Sequence, residues 1–216
     1  MKRGPIQSRC GLTLTEVLVV LAFLVILAAM FAPALMEPKS RRSRINCVNC
    51  LKQLVVGYRV WATDHDDKFP MQVSVTNGGT FELIPTAEAI VHFLAISNEI
   101  NTPRLLFCPQ DEKKSEAYSF FTNISNVNLS YFISFDATEA DPKMFLCGDR
   151  NLTNGLLPPN RILELKTNSV VGWTRELHDR VGNVGLADGS VQSYTTDRVR
   201  GAVTSQGAIT NRLAIP

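Results

Sequence analysis

Apolar residues are continuous in one stretch near the start of the chain and periodic after it. Val17 to Met36 is apolar throughout and broken only by Pro33. Twenty helical residues rise about 30 Å, the thickness of a bilayer hydrocarbon core. From Arg41 to Thr63 the pattern turns amphipathic. Ile45, Val48, Leu51, Val55, Tyr58 and Ala62 recur at three and four, Leu54 and Trp61 lie beside them, and Lys52 and Arg59 face solvent. Joined, the two stretches predict one helix of about fifty residues, roughly 75 Å long. Asp64-His65-Asp66-Asp67 and Phe69-Pro70 stop it.

Beyond the Gly78-Gly79 loop, Thr86 to Ser97 reads as a short helix. Thr86 is its N-cap, Ile90, Phe93 and Leu94 form its buried face, and His92 is partly exposed. Strands are predicted at Arg104–Cys108, Leu129–Phe135, Met144–Gly148 and Ser169–Arg175. A hairpin joins Asn183–Ala187 to Val191–Thr195 through a two-residue type I′ turn at Asp188-Gly189. The expected fold class is α+β: a long N-terminal helix, a membrane span continuing into an amphipathic half, packed on an antiparallel β-sheet.

Composition narrows the function classes. The chain has 216 residues, 45% apolar and 19% charged, too apolar for disorder and with too few long apolar runs for a multispan membrane protein. Its 22 basic and 20 acidic side chains nearly cancel. Lys2, Arg3 and Arg9 stand in the first eleven residues without an acid, and Lys39, Arg41, Arg42 and Arg44 follow the apolar run. Without those first three, 22 less 3 leaves 19 basic groups against 20 acidic ones, so no surface for nucleic acid is expected.

Glu16 sets this apolar run apart, because a carboxylate at its mouth is costly unless paired. Gly11 followed by Leu12-Thr13-Leu14-Thr15-Glu16 resembles the type III signal of type IV pilins and type II secretion pseudopilins. That resemblance implies a leader over 1–11, cleavage by prepilin peptidase between Gly11 and Leu12, and N-methylation of Leu12. It also implies a filament-core helix over 12–36 kinked at Pro33, and a pilin-like body over 37–216. The sequence departs from the pattern at Leu12, where phenylalanine is usual. Glu16 is then the assembly residue: it meets the positive N-terminus of a neighbouring Leu12, which offsets both desolvation costs and fixes the axial stagger.

The stretch CVNCLKQLVVGYRVWATDHDDKFP extends the likeness. It is similar to pilin-like proteins of planctomycetes and verrucomicrobia, which carry a C-x-N-x-L-K-Q-like helix, an acidic turn and F-P. His178 and Asp188-Gly189 match the H-x9-D-G with which that group often closes, and Phe107-Cys108-Pro109 is a weaker echo. Cys47, Cys50, Cys108 and Cys147 are disulfide candidates in an exported body, and four cysteines allow three pairings. The family-like positions of Cys47 and Cys108 favour Cys47–Cys108 with Cys50–Cys147; Cys108–Cys147 alone is the rival. Zinc on the four thiols is disfavoured, because Cys108 and Cys147 do not form a second C-x2-C.

No catalytic constellation stands out, and neither a resident metal nor a cofactor is expected. Asp64, Asp66 and Asp67 around His65 lack EF-hand spacing and its closing glutamate. His178, Asp179 and Ser190 lack a nucleophile elbow. The chain therefore reads as a structural subunit and not an enzyme, held in the inner membrane with its body in the periplasm. Its expected partners are prepilin peptidase, an assembly platform and ATPase, other pilin subunits and membrane lipid. The competing reading is a membrane-anchored ectodomain with a binding or enzymatic role that never polymerises.

Overall fold

The structure, a computed structural model, describes residues 13–35, 39–155, 160–206 and 210–216, with side chains at 13–29 and from 44 onward within those ranges. The leader 1–11, the Gly11–Leu12 cleavage position and the methylated Leu12 lie outside the described residues. The chain divides into two compact units, Met1–Arg41 and Arg42–Pro216.

The first unit carries α1 (Leu14–Leu35), with Pro33 two residues before its end. The next described helix is α2 (Lys39–Thr63), and residues 36–38 lie outside the described ones. The membrane span is corrected. Among the described residues no helix is long and apolar enough to cross a membrane.

The second unit is built on a six-stranded antiparallel sheet. Its strands are β1 (Tyr131–Ser134), β2 (Phe145–Asp149), β4 (Ile162–Lys166), β6 (Val181–Leu186), β7 (Val191–Thr195) and β8 (Thr210–Ala214), in the order β4-β8-β1-β2-β6-β7. Two short strands, β3 (Leu152–Thr153) and β5 (Gly172–Trp173), pair separately. Strand alternation sends side chains to two cores. Tyr131 and Ile133 join Leu51, Leu54, Val55 and Tyr58 of α2 on one face. Phe132 and Phe145 join Trp173, Val184, Leu213 and Val199 on the other, where α5 (Thr196–Thr204) packs. A bulge between Phe145 and Cys147 breaks the alternation and sends both Leu146 and Cys147 to the α2 side.

Helix α2 buries the expected stripe of Leu51, Leu54, Val55, Tyr58, Trp61 and Ala62, whereas Ile45 is exposed. The short helix divides into α3 (Ala89–Leu94) and α4 (Ser97–Ile100). Thr86 is not a cap: it ends a preceding 3-10 segment, and Ala87, with φ 55°, breaks the chain before α3. His92 is fully buried, not partly exposed. The Arg104–Cys108 strand is replaced by a 3-10 turn at Pro103–Leu106, because Pro103 fixes φ and removes a ladder donor. The Asp188-Gly189 turn differs as well. Gly189 N donates to Leu186 O (3.1 Å), Leu186 N donates to Ser190 O (2.8 Å), and Gly189 alone in the loop has positive φ, 95°. The loop is therefore the three-residue Ala187-Asp188-Gly189 hairpin connection, a type I turn followed by a left-handed glycine.

Candidate functional site

Three elements converge beside the N-terminal half of the body's long helix. Cys47 lies on the buried face of α2, Cys108 follows the Pro103–Leu106 turn, and Asp149 ends β2. Cys47 and Cys108 form a disulfide with Cα atoms 5.5 Å apart and a sequence separation of 61. Ser130 holds the loop beneath it: its Oγ accepts from Cys108 N (3.0 Å), and its own N donates to Leu106 O (2.9 Å).

Cys50 and Cys147 carry free thiols, so the second pairing is corrected. The reason is axial offset. Gly185 has no side chain and admits both Val55 and the Cys147 sulfur to its surface. Val55 lies five residues beyond Cys50, about 7.5 Å further along the helix. Cys50 instead faces Tyr131, and burial raises its thiol pKa.

His178 completes the cluster. Its Nε2 lies 3.6 Å from Cys108 Sγ and 3.5 Å from Asp149 Oδ2, and neither its side chain nor that of Asp149 is exposed. Asp149 Oδ2 accepts hydrogen bonds from Asn183 N (2.7 Å) and Asn183 Nδ2 (2.9 Å). Asp149 Oδ1 and His178 Nδ1 are buried without a hydrogen-bond partner. Burial pushes the Asp149 carboxyl up to about 7, against the Asn183 hydrogen bonds and with help from the nearby Asp111 charge. Burial draws His178 down to about 4, reinforced by Arg44 and opposed by Asp111. At neutral pH the imidazole is thus uncharged, and its contact with Asp149 is not an ion pair.

The backbone around His178 is unusual. His178, Asp179 and Arg180 follow one another in the left-handed region, with φ of 51°, 47° and 63°. Asn151 Nδ2 braces this turn by donating to Leu177 O (3.0 Å) and Thr174 O (3.1 Å). Beside it, Arg150 makes a two-pronged contact with Asp111 (2.6 and 2.7 Å) and reaches Glu176 (2.8 Å), which also pairs with Lys113.

The H-x9-D-G residues do not form one site. His178 precedes β6 and Asp188-Gly189 follows it, about 20 Å away along six extended residues. At that far end, Arg59 of α2 donates to Asp188 O and pairs with Glu139 (3.4 Å). Ser190 is beyond the turn, so a His178, Asp179 and Ser190 nucleophilic arrangement is excluded by distance. His65 Nδ1 lies 2.8 Å from Trp61 O, and its ring is stacked on Trp61.

Glu16 has a local role that the T-x-x-E spacing at Thr13 signals and our sequence analysis missed. Its Oε2 accepts from both Thr13 N and Thr13 Oγ1 at 2.8 Å, while Glu16 N lies 3.4 Å from Thr13 Oγ1. This is a capping box that satisfies orphan donors at the start of α1. Behind it, Val17, Leu18, Val19, Val20 and Leu21 are each at least 45% exposed, and so are Phe23, Leu24, Val25 and Ile26.

In comparison with known proteins, the chain matches no family model, no curated protein and no solved structure.

Proposed function

We propose that this chain is a structural subunit, pilin-like or pseudopilin-like, that assembles into a filament through α1. The observation that carries this reading is the exposure around the helix. Successive residues of a helix advance by about 100°, so five consecutive exposed apolar residues, Val17 to Leu21, cover its whole circumference. A helix that is apolar all round needs cover on every side. The cover supplied in this reading is the α1 of neighbouring copies, as in a bundle core. Gly11 and Leu12 supply the processing site for prepilin peptidase, an assembly platform with its ATPase supplies the work, and the body stands outside the cytoplasm. The Cys47–Cys108 disulfide supports that last point, since such bonds persist in oxidising compartments.

Glu16 gives the test, because its capping and its charge are separable. Glu16→Gln keeps an oxygen for Thr13 and removes the charge; Glu16→Ala removes both. With prepilin peptidase present, intact-mass analysis should find wild type and both variants beginning at an N-methylated Leu12, and neither variant should build filaments. Wild-type chains that all begin at Met1 would overturn the processing reading. Normal filaments from Glu16→Gln would show that the carboxylate serves α1 capping alone.

A further inference from the structure

The environment of the disulfide is not that of an inert staple. Disulfides in cores are surrounded by apolar side chains, whereas here a buried imidazole nitrogen faces Cys108 Sγ at 3.6 Å and a buried carboxylate stands 3.5 Å from that nitrogen. Cys47, Cys108 and His178 each offer a ligand atom, and these atoms all lie within 4.8 Å of one another. The side chains of His178 and Asp149 have no exposure, and His178 Nδ1 and Asp149 Oδ1 have no hydrogen-bond partner. Burying such atoms unpaired is costly, so their arrangement needs a reason.

We propose that Cys47, Cys108 and His178 form a zinc site that the disulfide masks and reduction opens. The donor set is that of zinc: two thiolates and an imidazole, with the fourth position left to water. Zn–S bonds of about 2.3 Å and Zn–N bonds of about 2.05 Å at a tetrahedral angle place sulfur and nitrogen about 3.6 Å apart. The separation of Cys108 Sγ and His178 Nε2 is 3.6 Å. Asp149 Oδ2, fixed by two hydrogen bonds from Asn183, stands 3.5 Å from His178 Nε2 and lies outside the ligand set.

The metal and the disulfide exclude each other. Two thiolates on one tetrahedral zinc sit about 3.8 Å apart, whereas bonded sulfurs are about 2 Å apart. Reduction by a dithiol breaks the Cys47–Cys108 bond and forms a disulfide in the dithiol; two electrons and two protons pass to the cysteines. Zinc then displaces the two thiol protons to solvent. Both states tie α2 to the Cys108 loop, so zinc is the cross-link of the chain before oxidation.

The test uses the full-length chain in detergent, reduced with a dithiol, freed of it under argon, and titrated with Zn2+ or with Co2+ as a spectroscopic probe. The reduced chain should bind one metal per chain with the thiolate-to-cobalt absorption of a tetrahedral site, and the oxidised chain none. Cys50→Ser and Cys147→Ser should bind as the wild type does, which separates this site from a four-thiol one. His178→Ala should weaken binding by at least about tenfold and shift the cobalt spectrum. Three outcomes would overturn the proposal: no metal bound by the reduced chain, binding lost in Cys50→Ser or Cys147→Ser, or binding unchanged in His178→Ala. A reduced chain that unfolds and does not regain its circular dichroism with zinc overturns it equally.

Discussion

His92 shows what burial does to one side chain. Its Nδ1 meets Thr80 Oγ1 at 2.7 Å, its ring packs edge-on against Phe135, and its backbone carbonyl accepts from the Tyr58 hydroxyl (3.0 Å). Nε2 has no partner. Burial alone lowers its pKa to about 4, while in the unfolded chain it titrates near 6.5. The sign follows from proton counting: between these values the unfolded chain binds a proton that the folded one refuses, so stability falls as pH falls. The gap corresponds to about 3 kcal/mol, present above pH 6.5 and gone below pH 4. Urea unfolding of wild type and His92→Gln from pH 7 to 4 checks this. The variant should lose less stability over that range, and parallel curves would show that His92 is protonated equally in both states.

Among the elements, the β6–β7 hairpin ties the C-terminal half to α2. Gly189 has φ 95°, and a Cβ there would lie 3.0 Å from the Arg59 guanidinium, a flexible group that can move aside. Backbone strain is therefore the larger cost. Gly189→Val should lower stability by about 1–3 kcal/mol, and Gly189→Asn by less, since asparagine tolerates the left-handed region. Equal losses in the two variants, measured by denaturant unfolding, would point to the Arg59 contact instead.

The same hairpin shows how far periodicity reaches. Asp-Gly between two strand patterns located the turn but not its length: Gly189 N bonds back to Leu186 O (3.1 Å), which puts Ala187 in the loop with Asp188 and Gly189. The stripe on α2 was legible because every third or fourth residue packs on one sheet face. Strands β4 and β8 and helix α5 were not, since Thr210–Ala214 and Thr196–Thr204 carry few large apolar residues and acquire their state from the second core. Cys47, Cys108 and His178 stood out by residue type. Asp149, which faces His178, did not: an acid at the end of an apolar strand ordinarily marks solvent, and only the tertiary fold buries it.

At the scale of the whole molecule, the two units have different needs. Unit Arg42–Pro216 covers both faces of its main sheet, whereas the apolar side chains of α1 remain open to whatever surrounds them. The stability of the body therefore rests on its own cores and on its one cross-link among the described residues. The Cys47–Cys108 bond closes a 61-residue separation, for which loop entropy gives about 4 kcal/mol, at the upper end of what disulfides deliver. That is a large fraction of a typical domain stability of about 5–15 kcal/mol. A chain beginning at Arg42 and carrying Cys47→Ser with Cys108→Ser should therefore unfold about 2–4 kcal/mol more easily than the same oxidised chain with both cysteines. Its denaturant dependence should be slightly steeper, because an uncrosslinked unfolded chain exposes more surface. Reducing the unsubstituted chain in the presence of a metal chelator should reproduce the double variant. Equal midpoints for the oxidised and double-variant chains would show that the bond constrains little in the unfolded ensemble, and that the packing of Leu51, Leu54 and Tyr58 on the sheet fixes α2 by itself.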